Sequence, residues 1–173
     1  MLVSMITDDV LEKTWTEVSE YSDDRMMSEF DLFYKEQPAI LDFVIEVTTE
    51  SSPEIQELSL FLSYMVFKAV KTSRPGEIAA VSPESIEAAY HESESWIERI
   101  NDVHDGQAEP DISMIEKDVE PNLVQYIISE LNEPLDDGTV LEDEEKGEVF
   151  FVLKTVITSF ARSPLGTETE TED

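Results

Sequence analysis

Residues 52–76 read SPEIQELSLFLSYMVFKAVKTSRPG, and this stretch decides the fold. Ser52 offers a hydroxyl cap, Pro53 occupies the first helical position, and Glu54 puts an acid in the first turn, which together mark a helix start. No acidic residue occurs between Glu57 and Glu77, and Leu58, Leu60, Phe61, Leu62, Tyr64, Met65, Val66 and Phe67 surround the axis. A helix that is apolar on nearly every side must be covered by other elements. Arg74-Pro75-Gly76 then ends it. The pattern predicts a central helix from Pro53 to about Thr72, with Phe61, Tyr64 and Met65 in the core.

A second stretch of this kind runs from about Glu148 to Ala161, carrying Val149, Phe150, Phe151, Val152, Val156, Ile157 and Phe160. Around these two, amphipathic helices are expected at about Asp8–Tyr21 (Val10, Leu11, Trp15 and Val18 inward) and Ser22–Tyr34 (Met26, Met27, Phe30 and Phe33). A third opens at Pro38, with Ile40, Leu41, Phe43, Val44, Ile45 and Val47. Ser82-Pro83-Glu84 repeats the start signal for a helix reaching about His104, with Ile86, Ala89, Tyr90, Ile97 and Ile100 inward. A short piece from Asp111 leads to Pro121–Leu131, and residues 132–146 read as a loop. The fold class is therefore all-α, a compact bundle of six to eight helices. Residues 1–162 form one domain, and the ending TETETED makes 163–173 a disordered acidic tail.

Lys35–Val47 (KEQPAILDFVIEV) resembles Lys117–Leu131 (KDVEPNLVQYIISEL) when Pro38 is laid on Pro121. Each segment is followed by a loop and an acid-poor apolar helix closing on a basic residue and a proline. Half-repeats over 23–75 and 111–163, packed as two helical hairpins about a pseudo-twofold, are the expectation this raises.

Charge excludes several functions. The 173 residues hold 41 acids against 11 Lys and Arg, a net charge of −30. Such a chain does not bind phosphate backbones directly, because that affinity rests on Lys and Arg, and anionic membrane surfaces repel it. Without cysteine there is no disulfide, thiolate metal site or cysteine nucleophile. The best apolar run, Leu58–Phe67, is roughly half the ~20 residues a membrane span needs, and the N-terminus lacks the basic start of a signal peptide. The expected setting is the cytoplasm.

Chemistry is scarce. Two histidines exist, His91 and His104. Glu87, His91, Glu94 and Glu98 share a helical stripe that could offer ligands to a divalent metal, yet the chain has no Glu-x-x-His step of the di-iron kind. The reading that outweighs a metal site is a solvated acidic face. The Glu-x-x-Glu steps at Glu17/Glu20, Glu54/Glu57 and Glu84/Glu87 invite comparison with all-α nucleotide pyrophosphohydrolases, but no matching Glu-x-x-Asp follows on a separate helix, and chance accounts for such steps among 27 Glu. No Gly-x-Ser-x-Gly turn or Gly-rich phosphate loop is present. Trp15 and Trp96 read as core or interface anchors, and Met26-Met27 as core filling before an adaptable groove.

What remains is charge: fifteen acids against Lys117 and Lys146 between Asp105 and Glu148, including Glu142, Asp143, Glu144 and Glu145. Solubility is one explanation. The functional one is an acidic surface that steers a basic protein partner, and these four acids are its candidate contacts. The sequence thus favours a non-catalytic interaction module of the inhibitor, immunity or adaptor type, with no cofactor. A metal-dependent hydrolase or metal-binding bundle is the alternative, and nucleic-acid mimicry a further one.

Overall fold

The computed structural model describes residues 6–74, 78–103, 120–135 and 138–162. It is an all-α bundle. Seven helices lie among the described residues: α1 (Asp8–Ser19), α2 (Asp23–Glu36), α3 (Pro38–Val47), α4 (Pro53–Ser73), α5 (Pro83–Val103), α6 (Pro121–Leu131) and α7 (Asp143–Ala161). The expectations for His104, for the piece from Asp111 and for the tail at 163–173 lie outside the described residues.

The helix starts follow from local chemistry. Thr7, Ser22, Ser52 and Ser82 each accept a hydrogen bond from the backbone N–H three residues on, at 3.3, 3.1, 3.3 and 3.1 Å. Each thereby satisfies one of the first-turn donors that a helix leaves unpaired. Helices α3 and α6 begin differently. Gln37 and Glu120, the residues before Pro38 and Pro121, have nearly the same backbone, with φ −135°, ψ 60° and φ −136°, ψ 70°. Neither side chain caps its own helix.

Instead, both side chains are buried and grip another part of the chain. Gln37 accepts the Val81 N–H at 2.9 Å and donates to the Ala79 carbonyl at 3.1 Å, holding the strand of chain that enters α5. Glu120 accepts the Ile6 N–H at 2.9 Å, while Asn122 donates to the Ile6 carbonyl at 2.8 Å, holding the chain that enters α1. The two clamped residues, Ile6 and Val81, are themselves buried. Helix packing has the same reciprocity. Helix α1 lies on α4 and touches α6; α5 lies on α7 and touches α3; α4 and α7 pack on each other at the centre.

The core is continuous across this arrangement. Buried residues crowd α4 from Leu62 to Phe67 and α7 from Val152 to Phe160, as the acid-free runs require. Phe33 of α2 stacks on Phe67 with centroids 4.7 Å apart and planes at 19°, and meets Tyr64 edge-on. Tyr90 of α5 lies between Phe43 and Phe151.

Four details depart from the sequence reading. Tyr64, Met65 and Val152 are buried, but Phe61 and Phe151 are only partly so, each meeting an aromatic ring of a neighbouring helix, Trp15 of α1 and Tyr90 of α5. Trp15 is 41% exposed and Met27 68%, and Ile45 and Val47 are also outside. In α1 the inward place near Trp15 is taken by Thr14. Helix α7 begins at Asp143, inside the stretch that reads as a loop. The turn before it uses Gly138 at φ +86°, a conformation that suits a residue without Cβ.

Candidate interaction surface

Among the described residues the acids lie almost entirely outside the core. Carboxylates of α1 to α5 and α7 reach the surface, and among the described residues Glu120 is the one acid in the buried class. The cations are disposed quite differently. Arg74 is 6% exposed and Lys154 2%. The Arg74 guanidinium donates from Nη2 to the Phe160 carbonyl at 2.9 Å. Burial pulls its pKa below the ordinary arginine value, and the nearby negative charge of Glu120 resists that shift. Lys154 donates to the Thr158 hydroxyl at 3.0 Å and holds its ammonium 5.2 Å from the Trp96 ring centroid, a cation–π arrangement.

Most described cations outside the core are matched by a carboxylate or an amide. Lys71 meets Glu36 at 3.2 Å, Lys68 meets Glu17 at 3.5 Å, and Arg162 meets Glu92 at 2.6 Å. Lys146 donates to the Asn132 side-chain oxygen at 2.9 Å. The densest group joins α1, α2 and α4 around Tyr21. Arg25 lies 4.2 Å over the Tyr21 ring and Lys68 5.8 Å from it, while the Tyr21 hydroxyl donates to Glu17 at 3.0 Å. Arg25 also donates to Glu29 at 3.1 Å, and the Tyr64 hydroxyl donates to Glu29 at 2.6 Å.

Titration follows these contacts. The Tyr21 hydrogen bond, helped by the Lys68 charge, holds Glu17 below its ordinary value against the opposing effect of burial. Burial would raise Glu29, but hydrogen bonds from Tyr64 and Arg25 outweigh it and bring the carboxyl below the ordinary value. Burial, then Glu29, drive the Tyr64 phenol far upward. On α6, burial pushes Glu130 up, helped by the charge of Glu133, and burial likewise raises Tyr126.

The histidine stripe lies on α5 and the acid run at the start of α7. Glu87, His91 and Glu94 come together on the exposed side of α5: His91 Nδ1 is 3.2 Å from Glu94, and its Nε2 is 4.0 Å from Glu87. Each ring nitrogen faces one carboxylate of its own helix, the geometry of i,i+3 and i,i+4 ion pairs. Glu98 is exposed on the same helix. Among the described residues no cluster of three or more His, Asp or Glu is gathered as metal ligands would be.

Glu142, Asp143, Glu144 and Glu145 form the start of α7. Glu142 is the N-cap, and the Glu145 carboxylate accepts its backbone N–H at 2.9 Å, closing a capping box. Ser51 bonds Glu148 one turn further along. These acids face the positive end of the helix dipole, so part of their charge stabilises α7 locally.

The buried Arg74 and Lys154 and the Tyr21 group leave little trace in the sequence. Lys154 gives one signal, since it sits in an apolar run with no acid beside it. Glu120 gives another, since it precedes Pro121 as Gln37 precedes Pro38. No protein-family model, curated protein or solved structure matches this chain. Among the described residues no helix is long and apolar enough to cross a membrane.

Proposed function

We propose that this chain is a non-catalytic helical interaction module whose acidic surface receives a basic protein partner. The observation that carries the reading is the separation of charge by depth. Two cations, Arg74 and Lys154, are withdrawn into the core, and four more are matched by carboxylates, while acids crowd the outside of the helices. Each pair cancels one carboxylate with one cation, and among the described residues two buried cations against one buried acid, Glu120, leave the excess of carboxylates on the outside. A field of one sign speeds the encounter with an opposite one and selects the partner's sign.

The test is kinetic. A partner isolated on the immobilised chain is identified, and its association rate is measured at low and high salt. A basic partner whose association slows by about tenfold or more as salt screens the field supports the reading. A neutral or acidic partner, or an association rate indifferent to salt, overturns it.

A further inference from the structure

We propose that the ridge formed by Trp15 of α1 and Phe61 of α4 is the surface on which a basic, amphipathic segment of the partner protein docks. The inference rests on the acidic-module reading above and adds to it an anchor and a place.

Trp15 is 41% exposed, although its helix packs directly on α4. Its ring and that of Phe61 meet at 79°, with centroids 6.3 Å apart, so Phe61 supports the indole while much of the residue stays exposed. The remaining tryptophan is spent inside: Trp96 is 6% exposed and already faces a lysine ammonium. A supported but open indole is the kind of side chain that dominates protein interfaces, because it offers a large contact area at little cost in side-chain freedom.

The occupant follows from the charges around the rings. Asp8 and Glu12 precede Trp15 by seven and three residues, and Glu54 and Glu57 precede Phe61 by seven and four; all four are exposed. Those spacings put each pair of acids on the stripe of its own aromatic. Lys13 is two residues from Trp15, about 200° round the helix, and Lys68 is held by Glu17. An apolar side chain on the rings with Lys or Arg against the flanking acids satisfies both parts of the ridge, and a Lys or Arg can also stack on the indole face.

Two probes separate this inference from the reading beneath it: a synthetic amphipathic lysine–leucine peptide and an oligolysine of equal charge. The chain has two Trp, so its indole N–H signals in an NMR spectrum report Trp15 and Trp96 directly. The amphipathic peptide is expected to shift the Trp15 signal and leave that of Trp96 in place, and to bind more tightly than oligolysine. Trp15→Ala, with helical content unchanged, is expected to weaken the amphipathic peptide by about tenfold. If the two peptides bind alike, or binding leaves the Trp15 signal unmoved and maps to Met27 and Tyr34 of α2 or to Ile45 and Val47 of α3, the ridge is not the dock while the acidic-module reading stands. If neither peptide binds at low salt, both fall.

Discussion

Phe33 and Phe61 show how far a residue type and its exposure diverge. Both are phenylalanines facing α-helical neighbours, yet Phe33 is fully buried in a stack with Phe67, and Phe61 is only partly buried beside Trp15. Truncation costs transfer energy plus the cavity that remains. Phe33→Ala is therefore expected to lose about 3–5 kcal/mol, and Phe61→Ala about 1–2 kcal/mol, in proportion to the area it buries; urea denaturation of the two variants measures the difference. Glu130 tests titration. Its folded pKa is raised by burial and by Glu133, so the folded chain holds a proton over a pH range where the unfolded chain has lost it. Stability from this group therefore falls as pH rises through that range. Glu130→Gln is expected to raise the melting temperature near neutral pH, and the gain should vanish below about pH 4, where the carboxyl is protonated in both states. Neither residue's environment was legible in the sequence. Periodicity places Phe61 on an all-apolar helix but does not reveal that it meets a half-exposed Trp15 and stays partly exposed itself. The buried Arg74 and Lys154 escape for a similar reason: a cation in an apolar run looks like an interruption until its partners across the fold are known.

Elements were far more legible than the groups that join them. Hydroxyl caps and first-turn prolines locate the starts of α4 and α5 to the residue, because they act within a single turn. The start of α7 is hidden in the sequence because Pro134, Gly138 and the acid run have the composition of a loop. The acids are in fact at home there: they meet four unpaired N–H groups and the positive end of the helix dipole. Replacing Glu142, Asp143 and Glu144 with Gln or Asn is thus expected to cost about 1 kcal/mol at low ionic strength and less in high salt. Chemical denaturation at two salt concentrations checks this. The same replacements should slow association with a basic partner, so folded stability and binding must be measured separately on that variant. Of the candidate site, the stripe Glu87–His91–Glu94 was readable from spacing alone, because helical geometry fixes it. The Tyr21 group was not, since α1, α2 and α4 contribute to it from distant positions in the chain.

At the scale of the whole molecule, the net charge of −30 acts against compactness, since most of those charges share one surface. Added sodium chloride is expected to raise the midpoint of thermal unfolding over the range where the Debye length shrinks from about 30 to 10 Å, opposite in sign to its effect on the α7 dipole. Calorimetry across a salt series reads the sum, and a midpoint that fell with salt would mean that the ion pairs outweigh the repulsion. The all-α class and the two central helices were evident from the sequence because acid-free runs have one use in such a chain. The reciprocal placement of α1 and α5 was not, since the alignment of Pro38 on Pro121 draws the eye to the helices that follow. The residues just ahead of them make the long-range bonds.

The grip of Glu120 on Ile6 also sets an order of events during synthesis. The bond joins residues 114 positions apart, and at ribosomal speeds of ~5–20 residues per second its second half is made roughly ten seconds after the first. Through that interval Ile6, at the entry to α1, lacks its clamp, while the Gln37–Val81 clamp, 44 positions long, can already close. Helix α1 itself can already pack on α4, which is complete long before Glu120 is made. The entry to α5 is therefore expected to be fixed before the entry to α1.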